Sequence, residues 1–156
     1  DKYMGDAEYD TIAAIKQAVS IPVLANGDIT SPEKARRVFE HTGCDGIMVG
    51  RGAHGRPWLF REIQHYLRTR DLLPPPNLAE QRDIVLRHLG SLHAFYGPDL
   101  GVRFSRKHLG WYADFLPEGQ ALSRQFNTLI NADQQIRLVS EYFLRRADSR
   151  WPDAAA

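Results

Sequence analysis

Two short apolar runs, each unbroken and each followed at once by a glycine-containing turn, constrain the fold of this chain most strongly. The runs occupy residues 21–25 and 46–50. Neither run alternates between apolar and polar residues, which predicts strands covered on both faces rather than strands with one wet face. A stretch with helical spacing of apolar residues separates the two runs, so we expect parallel strands packed beneath helices.

Helix signals flank both predicted strands. Apolar periodicity predicts helices over residues 9–19, 32–41 and 58–68. Ser31 is suited to cap the second of these helices, Pro32 to occupy its first position and Gly43 to end it. The order helix, strand, helix, strand, helix describes an α/β region over residues 1–70, although two strands alone do not make a stable parallel sheet.

Three consecutive prolines mark the clearest boundary in the chain. They lie within residues 71–77, which we interpret as a stiff, extended, proline-rich linker. After the linker the strand signals stop, and residues 78–148 are predicted to form a small all-α bundle followed by a tail, residues 149–156. The predicted helices of the bundle cover residues 78–96, 101–114, 118–130 and 132–147. The predicted buried face of the first of them comprises Ile84, Val85, Leu86, Leu89, Leu92 and Phe95.

Composition excludes several classes of protein. The 20 basic and 19 acidic residues give a net charge of +1, which argues against a strongly cationic coat protein but permits a local basic patch. The one cysteine, Cys44, allows no intrachain disulfide and no zinc site built from several cysteines, and we predict no metal site. No apolar run approaches the roughly 20 residues of a membrane span, and the polar residues 1–10 do not resemble a signal peptide. We therefore expect a reducing, cytoplasmic location.

The turns that follow the two predicted strands carry the residues best suited to chemistry. Asn26-Gly27-Asp28 follows the first strand and Gly50-Arg51-Gly52 the second. Ligands of parallel α/β folds bind at the carboxyl ends of strands, where glycines let backbone N–H groups approach an anion and arginine supplies donors that match phosphate. Two such turns in succession match the phosphate site beside the last two strands of a (β/α)8 barrel. For Asn26-Gly27 taken alone, an ordinary turn is an equally good interpretation.

Three segments of the chain together resemble one family of enzymes. The segments are Ile21-Pro22-Val23-Leu24-Ala25-Asn26-Gly27-Asp28-Ile29, then Asp45-Gly46-Ile47-Met48-Val49-Gly50-Arg51-Gly52-Ala53 with Gly55 and Pro57-Trp58 after it, and Arg106-Lys107-His108-Leu109-Gly110-Trp111-Tyr112. The first two resemble the closing part of the barrel in tRNA-dihydrouridine synthases. The third resembles the signature of that family's helical C-terminal domain. The likeness is greatest to the bacterial B-type subgroup and extends over residues 5–143.

The resemblance implies a flavoenzyme. In such enzymes FMN lies in the mouth of a (β/α)8 barrel and is reduced by NADPH. The flavin then passes hydride to the C5–C6 double bond of a uridine in tRNA, and a cysteine on an earlier barrel loop protonates the other carbon. The positions that match the FMN phosphate site are Asn26, Gly27, Asp28, Gly50 and Arg51. We expect Arg51 and the amides near Gly27 and Gly50 to hold the phosphate, and Asp28 either to orient Arg51 or to cap the next helix.

The resemblance also implies that part of the family's pattern is missing here. A (β/α)8 barrel takes about 200–250 residues, so we expect residues 1–70 to be the closing part of a truncated FMN-binding domain. The chain alone is accordingly expected to be inactive and to contain no catalytic residue. Cys44 precedes the second strand, at its amino end, and is predicted to be a buried structural thiol. For His54, in the phosphate loop, contact with phosphate is one interpretation and a place on the loop surface is the one that we favour.

A basic stretch in the helical half is the second candidate surface, because residues 101–113 contain no acidic residue. The candidate tRNA-binding residues are Arg103, Arg106, Lys107 and His108. The first three are spaced i, i+3 and i+4 and would share a helix face suited to a phosphate backbone, with a merely solvated face as the alternative. The aromatic residues of the same stretch are Phe104, Trp111 and Tyr112. Such rings suit stacking on unpaired bases, but for Trp111 we favour a place in the core.

Two other functions stay open from the sequence. Another FMN barrel, of the dihydroorotate or dihydropyrimidine dehydrogenase type, would share the phosphate site but is not expected to carry the helical signature. A non-catalytic tRNA-binding module that retains a partial barrel is the second. The expected partners are tRNA and NAD(P)H, with no membrane and no metal, and the full-length protein is expected to be a monomer.

Overall fold

The computed structural model describes residues 8–148, and the chain divides into two compact units between Pro74 and Pro75. In chain order the described elements are α1 (Tyr9–Ala18), β1 (Leu24–Asn26), α2 (Pro32–Thr42), β2 (Gly46–Met48), a 3₁₀ turn (Arg51–Ala53), α3 (Leu59–Thr69), α4 (Leu78–Ala113), α5 (Gly119–Thr128) and α6 (Ala132–Asp148). The division falls within the predicted linker, residues 71–77, which contains neither helix nor strand. The predicted tail, residues 149–156, lies outside the described residues, as do residues 1–7.

The first unit has the predicted α/β order. Its two strands pair in parallel, with Leu24 opposite Gly46 and Asn26 opposite Met48. Helix α2 packs against both α1 and α3. The core of this unit comprises Ala25, Ile29, Ala35, Val38, Cys44, Leu59 and Ile63. The core therefore lies where the centre of β1 meets the inner faces of α2 and α3.

The strands are shorter and more exposed than the sequence predicts. Runs 21–25 and 46–50 predict five-residue strands, whereas the ladder joins three residues on each side. A strand needs a neighbour for its backbone groups, and among the described residues each strand has one neighbour. Complete burial is also absent, since Leu24 is 60% exposed and Met48 54% exposed. The expectation of strands covered on both faces is thus corrected for the described chain.

The predicted ends of α2 are confirmed. The hydroxyl of Ser31 accepts a hydrogen bond from the Lys34 N–H at 3.1 Å, and Pro32 occupies the first turn, where its missing N–H costs nothing. Gly43 adopts a left-handed conformation with φ +63° and its N–H donates to the Phe39 carbonyl at 2.9 Å. These contacts fix the direction in which the chain enters and leaves α2, and so position the turn after β1 and the start of β2.

The predicted interruption between helices over residues 78–96 and 101–114 is confirmed. Helix α4 spans 36 residues but consists of two helices joined at a kink at Gly97, whose φ of +79° and ψ of −179° are not helical. Glycine tolerates this conformation, and Pro98 after it has no N–H to complete the interrupted ladder. Asn77 and Glu80 close the start of α4 with a reciprocal pair of side-chain to backbone hydrogen bonds. We call the two parts of α4 before and after Gly97 its first and second arms.

The second unit is helical, with α4 packed against α5 and α6. Its largest buried apolar side chains include Val85, Leu89, Val102, Leu109, Tyr112, Phe126, Val139 and Phe143. Phe95 departs from the predicted buried face and is 82% exposed, because it lies next to the kink, where the helix direction changes. Trp111 is half-buried, and its neighbour Tyr112 enters the core instead.

A buried amide links three segments of the second unit. Gln135 in α6 is fully buried, its Oε1 lies 2.8 Å from His93 Nε2, and its Nε2 donates to the Val102 carbonyl at 3.2 Å. His93 belongs to the first arm of α4 and Val102 to the second. Because buried polar groups need hydrogen-bond partners, this network specifies how the two arms and α6 fit together. None of the helices among residues 8–148 combines the length and apolar character needed to cross a membrane.

Candidate functional site

The turn after β1 has an unusual backbone conformation. Gly27 has φ +146°, which favours glycine, and Asp28 has φ +44°, a conformation that aspartate tolerates better than most residues. The Tyr9 hydroxyl in α1 donates to the Gly27 carbonyl at 2.5 Å and so anchors the turn from outside the sheet. Because Asn26 and Met48 are opposite in the ladder, the turns after β1 and β2 lie at the same edge of the sheet.

An ion pair joins these two turns. Arg51 Nη2 donates to Asp28 Oδ1 at 3.1 Å, and the side chains are 58% and 30% exposed, respectively. Of the two roles expected for Asp28, the structure shows the contact with Arg51, whereas Ser31 caps α2. An exposed pair of this kind contributes about 0.2–1 kcal/mol, so its main effect is to orient the guanidinium rather than to stabilise the fold.

Two glycines in the second turn differ in what surrounds them. A Cβ on Gly52 would lie 2.2 Å from the Ile29 carbonyl oxygen, so the backbones of the two turns are in direct contact there. A Cβ on Gly50 would meet no described atom within 4 Å. Gly52 therefore brings the turns together, while the space beside Gly50 is open. This open space next to an exposed guanidinium suits an anionic group such as a phosphate.

The loop between the 3₁₀ turn and α3 contains a second ion pair that the sequence reasoning missed. Arg56 Nη2 lies 3.2 Å from the carboxylate of Glu62, and Glu62 is buried. Gly55, with φ +69°, turns the chain just before it. A glutamate adjacent to Ile63 on the inner face of α3 is the sequence signal that could have indicated a buried partner. His54 is half-buried in this loop rather than fully on its surface.

Cys44 lies at the other end of β2 from the candidate phosphate site. It is 7% exposed, belongs to the core of the first unit, and precedes Gly46, where the strand begins. Its backbone N–H donates to the Thr42 hydroxyl at 3.2 Å. The prediction of a buried structural thiol is confirmed. Among the described residues, no three His, Cys, Asp or Glu side chains are placed to bind a metal ion together.

The basic stretch of α4 is only partly a shared surface. Arg103 and Lys107 are exposed, and the Lys107 ammonium lies 5.0 Å from the centre of the Trp111 ring. Arg106 is half-buried instead, and its Nη2 donates to the Leu129 carbonyl at 3.2 Å. Its Nε is buried and has no hydrogen-bond partner within the described part of the chain. The expected common face thus keeps Arg103 and Lys107, while Arg106 ties α4 to the end of α5.

His108, the fourth candidate tRNA-binding residue, belongs to a ring cluster. Its ring meets those of His88 and Trp111 edge to face, at 4.8 Å and 4.9 Å between centres. His88 Nδ1 lies 3.0 Å from the Tyr112 hydroxyl. Burial lowers the pKa of His88 below its usual value and raises the pKa of Tyr112 to about 12. His88 and Tyr112 are therefore neutral near pH 7, and these two residues add little charge to the basic surface.

Comparison with known proteins assigns the chain to a family. A family model described as dihydrouridine synthase matches residues 1–148. The chain belongs to the dihydrouridine synthase family. The match spans both units, so the α/β unit and the helical unit are parts of one family pattern. The expectation from the three motif segments is confirmed.

Relatives of this dihydrouridine synthase sequence carry the B-type name. It is 58% identical to tRNA-dihydrouridine synthase B of Pseudomonas putida over 149 residues, covering 96% of this chain and 44% of that protein. It is also 58% identical to the protein of that name from Shewanella oneidensis over 141 residues, covering 90% and 44%. The corresponding protein of Escherichia coli is 52% identical, with the same coverage. The chain therefore spans less than half the length of these relatives.

Proposed function

We propose that the protein carrying this chain is an FMN- and NADPH-dependent tRNA-dihydrouridine synthase, which reduces the C5–C6 double bond of a uridine in tRNA. The names of its relatives support the reaction and the substrate. The single structural observation that carries the proposal is the Arg51–Asp28 pair at the carboxyl edge of two parallel strands. A tRNA substrate also places the reaction in the cytoplasm.

The first unit contributes the last two βα units of a (β/α)8 barrel in this proposal. Parallel pairing of β1 with β2 and the packing of α1 and α3 against α2 support it. The exposed faces of Leu24 and Met48 also support it, because strands inside a barrel are covered on both sides. The candidate site would then lie at the catalytic mouth, where strands end and ligands bind.

Five residues would hold the FMN phosphate: Asn26, Gly27, Asp28, Gly50 and Arg51. The donor set fits this group, since Arg51 is exposed and cationic and Gly50 leaves open space beside it. A charge-assisted hydrogen bond contributes about 1.5–3 kcal/mol, more than the exposed ion pair with Asp28, so Arg51 would turn its donors to the phosphate. Asp28 would restrict the directions that Arg51 can take. When bound, FMN supplies the hydride that reduces the uridine.

The second unit would bind tRNA. Arg103 and Lys107 offer exposed charges for the phosphate backbone, and we propose a supporting role for Arg106 and His108, whose side chains are half-buried. Cys44 would take no part in proton transfer, because it is buried at the amino end of β2. We therefore propose that the 156-residue chain alone does not reduce uridine. A dehydrogenase acting on a free pyrimidine is disfavoured by the names of the relatives, all of which specify tRNA.

The test is the Arg51→Ala variant of the full-length protein. Loss of one charged phosphate contact of about 1.5–3 kcal/mol predicts FMN binding weakened roughly 10- to 150-fold. Bound FMN is measured by visible absorption, and tRNA dihydrouridine by nucleoside analysis. Arg37→Ala, at an exposed position of α2, is the matched control and should keep its flavin. Unchanged flavin content in Arg51→Ala would exclude the phosphate role, and a colourless wild-type protein that cannot take up FMN would favour the non-catalytic tRNA-binding module.

A further inference from the structure

Three aromatic side chains form an exposed cluster at the kink of α4. The rings of Phe95 and Tyr96 meet edge to face with centres 4.8 Å apart, and those of Tyr96 and Phe104 lie 4.5 Å apart. Phe95 is 82% exposed, Tyr96 41% and Phe104 43%. We call these three residues the kink cluster. It joins the end of the first arm to the second arm of the same helix.

The backbone holds the kink cluster in place. The non-helical conformation of Gly97 kinks the helix, and the ring of Tyr96 before the kink contacts that of Phe104 after it. At Gly101 the two arms are in close contact, because a Cβ there would lie 2.7 Å from the Cα of His93. Gln135 links the same two arms by hydrogen bonds, as described above. A surface fixed in this way loses little conformational entropy when a ligand binds to it.

The kink cluster is not part of the hydrophobic core. The second arm buries Val102, Ser105 and Leu109 against the bundle, whereas Phe104 lies on the opposite side. Phe95 likewise lies outside the face that Val85 and Leu89 bury. Contiguous exposed aromatic rings are costly in water and mark binding surfaces more often than isolated apolar residues do. Ligand binding therefore explains the exposed rings of the kink cluster better than packing within the unit does.

Charges beside the kink cluster indicate what kind of ligand it takes. Arg103 and Lys107 are exposed, and Lys107 follows Phe104 by three residues and Arg103 by four, so it is a neighbour of both on the helix surface. Asp99, also exposed, is the acidic residue nearest to them in the second arm, and residues 101–113 contain none. A purely apolar partner would match the rings but not the cations. An unpaired nucleotide matches both, with a flat base for the rings and a phosphate for Arg103 or Lys107.

We propose that the kink cluster is a stacking platform for an unpaired nucleotide of the tRNA, with Arg103 and Lys107 holding the phosphates on either side of it. This inference rests on the proposed tRNA-binding function and adds to it separate roles for the cations and for the aromatic rings. The cations would bind any RNA backbone, whereas the rings would distinguish an unpaired base from a paired one, since a base inside a helix exposes no face for stacking.

The experiment compares variants of the full-length protein for binding to tRNA and to a fully paired RNA duplex, each over a range of salt concentrations. Phe104→Ala and Phe95→Ala should weaken tRNA binding roughly 5- to 100-fold, leave duplex binding unchanged and keep the wild-type salt slope. Phe104→Trp should restore tRNA binding. Lys107→Ala should instead weaken binding to both RNAs and reduce the slope of log affinity against log salt concentration by about one unit.

A control variant and several alternative results show what would overturn the stacking role. Phe115→Ala, which truncates another Phe of the second unit that is 54% exposed, should bind tRNA normally. The stacking role would be overturned if Phe104→Ala and Phe115→Ala lost equal affinity for tRNA. It would also be overturned if Phe104→Ala lost equal affinity for tRNA and for the duplex. A change in oligomeric state on Phe104→Ala, measured by sedimentation, would assign the cluster to protein contact instead. Wild-type protein that binds no tRNA would overturn the proposed function itself, whereas normal wild-type binding with unaffected cluster variants would overturn this inference alone.

Discussion

At the scale of single residues, burial shifts the pKa values of two hydrogen-bonded groups of the second unit, His88 and Tyr112. His88 and Tyr112 are hydrogen-bonded to each other, and burial shifts the pKa of each toward its neutral form. The ring of His108 packs against that of His88, with centres 4.8 Å apart. A neutral His88 is therefore a condition for the packing of α4 in this region.

This condition predicts a loss of stability in mild acid. The pKa of His88 is lower in the folded state than its ordinary value of 6.5, so the unfolded chain binds the proton more readily. The contribution of neutral His88 to the free energy of unfolding is complete above pH 6.5, and it is lost as the pH falls through the lower pKa of the folded state. Chemical denaturation followed by circular dichroism should show the free energy of unfolding falling as the pH is lowered through this range. The His88→Gln substitution should weaken this dependence on pH. Identical pH profiles for wild type and variant would contradict the assignment.

Single residues also show why the site was only partly predictable. Arg51 and Asp28 were identified because strand ends and turn residues are local sequence signals. Arg106 belongs to the same helical pattern as Arg103, but its partner is the Leu129 carbonyl, 23 residues away in the chain. Sequence spacing gives the face from which a side chain starts, not the acceptor that a long side chain reaches. Charge patterns therefore overstate how many cations a surface offers.

At the scale of elements, the kinked helix α4 organises the second unit. Its two arms bury different residues against α5 and α6, and they are in close contact at Gly101. The sequence predicted an interruption after Tyr96 correctly, because the Gly97-Pro98 pair is a strong local signal. The sequence did not predict how closely the two arms pack together, because that depends on the contacts of Gly101 and Gln135 across the kink.

Two glycines of α4 give a matched test of this packing. Gly101→Ala should destabilise the protein by about 1–3 kcal/mol, since its methyl group would lie 2.7 Å from the Cα of His93. Gly90→Ala, where the added Cβ meets no described atom within 4 Å, should stabilise it by about 0.5–1 kcal/mol through helix propensity. Urea denaturation measures both. Equal effects of the two substitutions would show that the arms are not tightly packed.

Element boundaries were predicted well where local interactions determine them and poorly where distant residues do. The ends of α2 were predicted from Ser31, Pro32 and Gly43, because capping is decided within a few residues. The strands were predicted too long, because their length depends on a partner more than 20 residues away along the chain, as the Val23 and Asp45 hydrogen bonds at the start of the ladder show.

At the scale of the whole molecule, the two units differ in the size of the apolar core that each of them buries. The second unit buries a core contributed by three helices. The first has two short strands, with Ile21 67% exposed, Leu24 60% and Met48 54%. Exposed strand edges and apolar faces promote association. The 156-residue chain studied by itself should therefore behave as two parts of unequal stability.

Hydrogen exchange on this chain should reveal the difference. Amides of β1 and β2 should exchange well before those in the middle of α4, and sedimentation should show concentration-dependent association. Leu24→Ser with Met48→Ser should reduce the association without changing protection in α4. A monodisperse monomer whose strand amides are as protected as those of α4 would contradict this prediction.

The contact between Gly52 and the Ile29 carbonyl also has an evolutionary consequence. Because no side chain fits between the two turns, a change in the path of one turn must be matched by the other. Substitutions in residues 26–30 and 50–53 should therefore be non-additive, as expected for groups in direct contact. The pair of turns is then inherited as a single unit, and recombination between distant relatives that separates the two turns would disrupt it even when each turn comes from a functional parent.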